Sequence, residues 1–163
     1  MLIQWRRQFE IGVEEVDAEH RHLAHLVNSF YDLFRSGAGA DKVYTVLNLL
    51  VQYVETHFQN EEGLMETGGY PELERHRALH DALTEQIFIL NGQLAAGVAR
   101  PTEATMEFLK KWLLDHILQE DKLIATHFEG RNLPPGFHRP GAAGDPPVLP
   151  GSGLGREGTL PRP

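Results

Sequence analysis

The sequence predicts an all-α protein: an up-down-up-down antiparallel four-helix bundle with an extended N-terminal arm and a disordered Pro/Gly-rich C-terminal tail. Three observations predict this fold. Apolar residues recur at steps of three and four in four successive segments. Short glycine-containing or polar stretches separate these segments, which favours antiparallel neighbours. Histidine and acidic side chains occupy places on the stripes where apolar residues belong, so the bundle is expected to enclose a polar centre.

The composition is that of one ordinary globular domain. Of the 163 residues, 41% are hydrophobic and 23% are charged, and the formal net charge is −8. An acidic chain without a Lys/Arg-rich face is not expected to bind nucleic acid. The absence of cysteine excludes disulfides, thiolate zinc sites and cysteine-ligated iron–sulfur clusters. Because the chain shows neither a signal-peptide pattern nor a run of about 18 apolar residues, we expect a cytoplasmic protein without membrane contact. We also expect a monomer.

Residues 1–16 have no helical periodicity. Their apolar side chains are spaced for an arm lying in extended form over a core: Trp5, Phe9, Ile11, Val13 and Val16. Asp17 is a candidate N-cap for the first helix. That helix is predicted from a stripe that ends before Ser36-Gly37: His20, Leu23, Val27, Tyr31 and Phe34.

The second and third helices carry polar residues on otherwise apolar stripes. The second stripe ends before Gly68-Gly69 and comprises Val43, Leu47, Leu50, Val54, His57, Glu61 and Leu64. The third comprises Leu73, His76, His80, Leu83, Ile87, Leu90 and Leu94. Gly97 is suited to cap the end of the third helix.

The fourth helix opens at Pro101-Thr102, and its phase slips near the end. Its stripe contains Thr105, Leu109, Trp112 and His116, after which the next candidate is Asp121. Residues 131–163 are dense in Pro and Gly and cannot bury enough surface to offset their ordering entropy. We therefore divide the chain into a bundle domain, 1–130, and a disordered tail, 131–163. The G-x-G-x-x-G match in this tail lacks the flanking strand and helix of a dinucleotide site.

Seven side chains on the inner stripes form a candidate metal-ligand set: His20, His57, Glu61, His76, His80, His116 and Asp121. Polar groups at such positions are costly to bury unless a partner satisfies them, and a bound metal would satisfy them together. Nitrogen and oxygen ligands suit iron, zinc or manganese. Seven ligands exceed the three or four that zinc takes from a protein. They fit two octahedral ions that share bridging carboxylates and keep one position open.

The spacing of His116 and Asp121 requires an irregular helix. Five residues of regular α-helix turn through about 500°, which leaves the two side chains about 140° apart. We therefore predict a π-type bulge or an equivalent irregularity near residues 116–121. With regular α-helical hydrogen bonding Asp121 would point to solvent, and Glu120, four residues after His116, would be the substitute ligand.

The chain resembles a bacterial hemerythrin over about residues 1–128, and all seven ligand positions match that family in type and order. The matching features are Trp5, Gly12-Val-Glu-Glu-Val-Asp17, His20, His57-Phe-Gln-Asn-Glu61-Glu62, Leu64-Met65, Tyr70-Pro71, His76-xxx-His80 and Trp112-Leu113-xx-His116-xxxx-Asp121. The tail lies outside the resemblance.

The resemblance implies a non-haem di-iron site with two iron ions (Fe2+/Fe3+). One iron would be held by His76, His80 and His116, and the other by His20 and His57. The carboxylates of Glu61 and Asp121 would bridge both irons beside an oxo or hydroxo bridge. The second iron would keep a position for O2. Leu113, next to Trp112, resembles the apolar residue that lines the oxygen pocket.

Three functions follow as hypotheses. The leading one is reversible O2 binding without catalysis, for oxygen carriage, storage or sensing. The alternative is a di-iron enzyme: an oxidase, a peroxidase or a scavenger of nitric oxide or peroxide. Di-iron bundles that activate O2 use Glu-x-x-His pairs and more carboxylates, so the histidine-rich set favours reversible binding. The third is a sensor whose tail or arm contacts an unidentified partner.

The remaining polar residues near the stripes are expected outside the ligand set. His22 and His25 fall off the face of His20, and Glu62 points about 100° away from Glu61 on a helix. We expect all three at the surface. His127 and His138 lie beyond the pattern of the fourth helix and are not expected to bind metal.

Overall fold

The computed structural model describes residues 1–140, which form an all-helical fold with four helical rods and no strand. The first three rods are α1 (Glu14–Arg35), α2 (Ala40–Thr67) and α3 (Leu73–Ala95). The fourth rod continues through α4 (Glu103–His116), a π-helical turn (Ile117–Asp121) and α5 (Lys122–Phe128). The predicted four-helix fold is confirmed.

Two apolar clusters flank the polar stripe residues. α1 packs against α2 and α4, and α2 packs against α3. The larger cluster includes Phe30, Leu50 and Leu109, and the smaller includes Val16, Leu64, Met65, Ile124 and Phe128. Along α1, α2 and the fourth rod, the polar positions fall between members of the two clusters, so apolar layers close the centre above and below. No helix within residues 1–140 is long and apolar enough to cross a membrane.

The N-terminal arm is held by side chains of α1. The Asn28 side-chain oxygen accepts hydrogen bonds from the amides of Leu2 and Ile3 at 2.8 and 2.7 Å, and its amide donates to the Ile3 carbonyl. The arm contains one 3-10 turn, Arg7–Phe9. The apolar residues predicted to lie over the core do so, with Phe9, Ile11, Val13 and Val16 buried.

The predicted N-cap role of Asp17 is wrong. α1 begins at Glu14, and Val13 occupies the cap position, four residues before Asp17. The buried Asp17 carboxylate instead accepts hydrogen bonds from the amides of Ile11 and Gly12, at 2.6 and 2.9 Å. Gly12 adopts φ +82°, a left-handed conformation that other residues rarely adopt. Asp17 therefore fixes the bend by which the arm enters α1.

The predicted cap at the end of α3 and the predicted cap at the start of α4 are both confirmed. α3 ends at Ala95, and Gly97 follows its cap with φ +66°. Thr102 caps α4, because its hydroxyl accepts from the amide of Thr105 while the Thr105 hydroxyl accepts from the amide of Thr102. This reciprocal pair satisfies two of the free amides at a helix start.

Residues 131–140 lie against the bundle. Leu133 and Phe137 pack on the smaller apolar cluster. The His138 carbonyl accepts from the amide of Glu14 at 2.8 Å, and the Glu15 carboxylate accepts from the amide of His138 at 2.8 Å. Packed structure thus extends past the predicted boundary at residue 130. The disorder predicted for the rest of the tail, with its G-x-G-x-x-G segment, concerns residues outside the described part of the chain and stays a prediction.

Candidate metal centre

The fold brings all seven predicted ligands together. α1 supplies His20, α2 supplies His57 and Glu61, α3 supplies His76 and His80, and the fourth rod supplies His116 and Asp121. His116 is the most exposed of the seven, at 8%, and the other six are at most 2% exposed. Pairs four residues apart share one face of a regular helix, which explains how each of α2 and α3 directs two side chains to one centre.

Three imidazoles and one carboxylate form a first group. The Nε2 atom of His80 lies 3.0 Å from that of His76 and 3.1 Å from that of His116. The Glu61 Oε2 atom lies 3.1 Å from the His80 Nε2 atom and 3.3 Å from the His76 Nε2 atom. Ligand atoms about 2.1 Å from one ion are about 3.0 Å apart at right angles and about 3.4 Å apart in a tetrahedron. The nitrogen spacing therefore fits octahedral better than tetrahedral coordination.

His20 and His57 form a second group with the same Glu61, and their candidate ligand atoms lie within 4.8 Å of one another. Asp121 contacts both groups. Its Oδ1 atom lies 3.0 Å from the Nε2 atom of His116, and its Oδ2 atom lies 3.2 Å from the Nε2 atom of His20. Each of the two buried carboxylates can thus serve both groups, which is the arrangement of a centre with two ions and shared carboxylates.

The predicted irregularity of the fourth helix is confirmed. Ile117–Asp121 is a π-helical turn, and its wider winding rotates Asp121 toward the centre despite the five-residue spacing from His116. Glu120, the predicted substitute, points away from the centre. Its carboxylate lies 2.7 and 3.1 Å from the two terminal nitrogens of Arg75.

The donor set fits a cation because several of its buried atoms have no hydrogen-bond partner within residues 1–140. These atoms are both ring nitrogens of His20, Glu61 Oε1, His76 Nδ1 and both oxygens of Asp121. The close approaches of Asp121 to His20 and His116 thus lack hydrogen-bond geometry. Burying such groups unsatisfied is costly, whereas an ion between them would coordinate most of them at once.

The charges in the centre are matched without an ion only if histidines are protonated. Burial works to raise the pKa of the Glu61 carboxyl, but hydrogen bonds from His76 and His80 outweigh it and hold that pKa well below its usual value. Burial works to lower the pKa of His57, but its hydrogen bond to Glu19 and the charge of Glu61 raise it. His116 behaves similarly, with burial opposed by Asp121. Without an ion, Glu61 and Asp121 therefore favour the charged forms of His57 and His116, whose pKa values are raised.

Two further carboxylates orient ligand histidines from outside. The Glu19 Oε2 atom lies 2.9 Å from Nδ1 of His57, and the Glu62 Oε1 atom lies 2.8 Å from Nδ1 of His80. An acceptor at Nδ1 leaves Nε2 free to face the centre. Neither role was predicted: Glu62 was expected at the surface, and it is partly exposed there. Glu19 directly precedes His20 in sequence, and Glu62 directly follows Glu61. Each of these carboxylates nevertheless contacts a candidate ligand on a neighbouring helix.

A cavity of about 10 Å³ lies beside the second group. Its apolar wall includes the predicted pocket residues Leu113 and Trp112, and the imidazoles of His20, His57 and His116 complete it. The Trp112 indole donates to the Leu83 carbonyl at 3.1 Å, which fixes the ring at the edge of this space. The cavity is therefore bounded by apolar side chains and by both histidines of the second group.

The other histidines lie away from both groups. The His22 ring lies tilted against Tyr53 of α2, and His25 is exposed. His127 packs against Tyr70, and His138 is exposed beside Glu15. The predictions for these four are consistent with their positions.

Comparison with known proteins shows to which family this chain belongs. A family model described as the hemerythrin HHE cation binding domain matches residues 11–128. The chain belongs to the hemerythrin family. It is 32% identical over 123 residues to a bacteriohemerythrin of Methylococcus capsulatus, covering 75% of this chain and 93% of the relative. It is 28% identical over 125 residues to a bacteriohemerythrin of Clostridium acetobutylicum, covering 74% of this chain and 97% of the relative.

Solved structures of hemerythrins share the fold. A crystal structure of wild-type hemerythrin superimposes with a TM-score of 0.73 at 31% identity, covering 77% of this chain and 97% of the other. A myohemerythrin of Theromyzon tessulatum is 31% identical over 119 residues, covering 72% of this chain and 87% of the relative. Residues 11–128, which the family model matches, contain every residue of the candidate centre.

Proposed function

We propose that this hemerythrin binds O2 reversibly at a non-haem di-iron centre, as an oxygen carrier, store or sensor and without catalysing a reaction. The observation that carries the proposal is the division of seven buried ligands into two groups that share Glu61 and Asp121. Membership of the hemerythrin family supports it. We also propose that the chain acts as a cytoplasmic monomer.

In this proposal His76, His80 and His116 hold one iron, and His20 and His57 hold the other. Glu61 and Asp121 each contribute one carboxylate to both ions. Two ferrous ions supply the electrons that make O2 binding possible. The group with three histidines is the more complete, so the open position belongs to the ion held by His20 and His57. The cavity supports this assignment, because two of the three imidazoles that line it are those of His20 and His57.

The surrounding residues keep the centre dry and its histidines correctly oriented. Leu113 and Trp112 present apolar surface to the open position, which limits entry of water and release of a charged product. Glu19 and Glu62 hold the Nδ1 sides of His57 and His80. The site is therefore preorganised for a small neutral ligand rather than for a bulky substrate.

The deciding experiment is reconstitution with ferrous iron under anaerobic conditions, followed by admission of air and then a purge with inert gas. We expect two irons per chain and a visible charge-transfer band that appears with O2 and fades on purging. Irreversible bleaching, or steady O2 consumption in the presence of a reductant, would instead establish a di-iron oxidase or peroxidase. One zinc ion per chain would contradict both functions.

A further inference from the structure

Glu120 and Asp121 are neighbours in sequence, but their side chains have different surroundings on the fourth rod. Asp121 is fully buried at the centre, whereas the Glu120 side chain lies at the outer surface, 19% exposed. There Arg75 of α3 places Nη1 2.7 Å from Glu120 Oε2 and Nη2 3.1 Å from Glu120 Oε1. This is a two-point contact between a guanidinium and a carboxylate, the strongest geometry for such a pair.

The two carboxylates compete for one place. On a regular α-helix Glu120 would lie about 40° from His116 and face the centre, while Asp121 would lie about 140° from it. The π-helical turn reverses this choice, because the extra residue in the turn directs Asp121 inward. The register of one helical turn therefore selects which carboxylate joins the histidines. A π-turn is a rare conformation, found mostly as a single turn within an α-helix and frequently at functional sites.

We propose that Arg75 is a positioning residue for the metal centre, which holds Glu120 at the outer surface and thereby stabilises the register that directs Asp121 inward. The role of Asp121 as a ligand rests on the proposed function, whereas the register is a property of the metal-free chain. Arg75 directly precedes His76, so the same contact ties the π-turn to the helix that supplies two histidines of the first group.

Lys122, the residue that follows Asp121, also makes a contact outside the fourth rod. The Lys122 ammonium donates to the carbonyl of Glu10 in the N-terminal arm. Residues on either side of Asp121 are thus attached to different parts of the fold, Glu120 to α3 and Lys122 to the arm. These contacts of Glu120 and Lys122 fix the backbone on both sides of Asp121, whose side chain faces the centre. The contact that specifically removes the competing carboxylate is the one made by Arg75.

The first test measures backbone hydrogen exchange in the metal-free full chain. The variants are Arg75→Met, Glu120→Gln and the double substitution, with Arg35→Met as a matched control. Arg35 also pairs with a glutamate across two helices, at 3.2 Å from Glu103, but far from the π-turn. Each single variant should exchange about five-fold faster at the amides of residues 117–122, and the double variant no faster than either single one. The control should leave those amides unchanged.

The second test loads the same proteins with Co2+, whose visible spectrum reports the ligands and their geometry. We expect Arg75→Met to shift the spectrum and Arg35→Met to leave it unchanged, even where both lower the unfolding midpoint equally. Unchanged exchange at residues 117–122 in Arg75→Met would overturn the proposal. Faster exchange with an unchanged cobalt spectrum would also overturn it, because Arg75 would then serve stability alone.

These outcomes are separable from those of the proposed function. A wild-type chain that takes up iron but gives no reversible O2 band would contradict O2 binding and leave the exchange comparison intact. Conversely, reversible O2 binding with a π-turn insensitive to Arg75→Met would retain the function and remove Arg75 from it.

Discussion

The carboxylate of Glu19 in α1 lies 2.9 Å from Nδ1 of His57 in α2. Its other oxygen accepts a hydrogen bond from the Asn60 amide at 2.6 Å. Glu62 holds His80 in the same manner but also lies 3.4 Å from the guanidinium of Arg77. The two ligand histidines therefore have carboxylate partners of different effective charge. Within residues 1–140, the partner of His57, which lines the cavity beside Leu113, has no cation paired with it.

Substitution of Glu19 by Gln should weaken metal binding and keep the fold. The amide oxygen of Gln can still accept from Nδ1, but the negative charge that strengthens the imidazole as a ligand is lost. Loss of such an outer partner lowers metal affinity by about ten- to a hundred-fold. Chelator competition with ferrous iron measures this loss. Glu15→Gln is the control, because Glu15 contacts His138 and no candidate ligand.

Glu62→Gln should cost less affinity than Glu19→Gln in the same titration. Arg77 already offsets part of the Glu62 charge, so its removal changes His80 less. An equal loss in the two variants would show that the cation near Glu62 does not matter.

The four helices and six members of the centre could be predicted from periodicity along single helices, whereas Asp121 required the additional prediction of an irregular turn after His116. His57 and Glu61, for example, are four apart and share a face whatever packs against them. The partners of Nδ1 could not be predicted in this way. Glu62 does point about 100° from Glu61, as expected, but His80 of α3 occupies that direction. Similarly, the early start of α1 depends on the arm that Asp17 binds.

The metal-free protein should be most stable in mildly acidic solution. His57 and His116 have pKa values raised above 6.5, so their stabilising contribution is complete below that pH and is lost as the pH rises through the raised values. Glu61 and Asp121 have pKa values lowered from 4.5 and 3.8, so their contribution is present above those values and is lost as the pH falls through the lowered ones. Stability should therefore peak between 4.5 and 6.5 and decline toward pH 8.

Urea unfolding of chelator-treated protein across this range measures the effect. His57→Gln should flatten the decline above pH 6.5, whereas His25→Gln, at an exposed position, should not. The metal-loaded protein should behave oppositely, because coordination requires neutral imidazoles and releases their protons. A metal-free protein that gains stability between about pH 6.5 and 8 would contradict the charge pairing described for the centre.

Leu113→Asn should accelerate oxidation of the oxygenated protein several-fold. Leu113 lines the cavity beside His20 and His57, and a polar side chain there would draw water toward the open position. Decay of the visible band in air measures the rate. Leu114→Asn is the matched control, because Leu114 lines an outer groove with Leu2 and Lys110. Equal rates for wild type and Leu113→Asn would remove Leu113 from the oxygen pocket.

Gly68→Ala should destabilise the fold where Gly63→Ala stabilises it. Both glycines have backbone conformations that alanine can adopt, so their surroundings decide the effect. A β-carbon at Gly68 would overlap the ring of Phe128, which is buried in the smaller apolar cluster, whereas one at Gly63 would meet nothing within 4 Å. Overpacking of this kind costs about 1–3 kcal/mol. Replacement of a helical glycine by alanine gains about 0.5–1 kcal/mol.

Thermal unfolding of the two metal-free variants tests this difference. The ring of Phe128 is held between Gly68 and the rest of its cluster, so it has little room to retreat. A smaller side chain at residue 128 should therefore relieve the overlap. Phe128→Leu should lower the unfolding midpoint less in the Gly68→Ala background than in the wild type. If Gly68→Ala raised the midpoint as much as Gly63→Ala, the close approach of α5 to the end of α2 would be disproved.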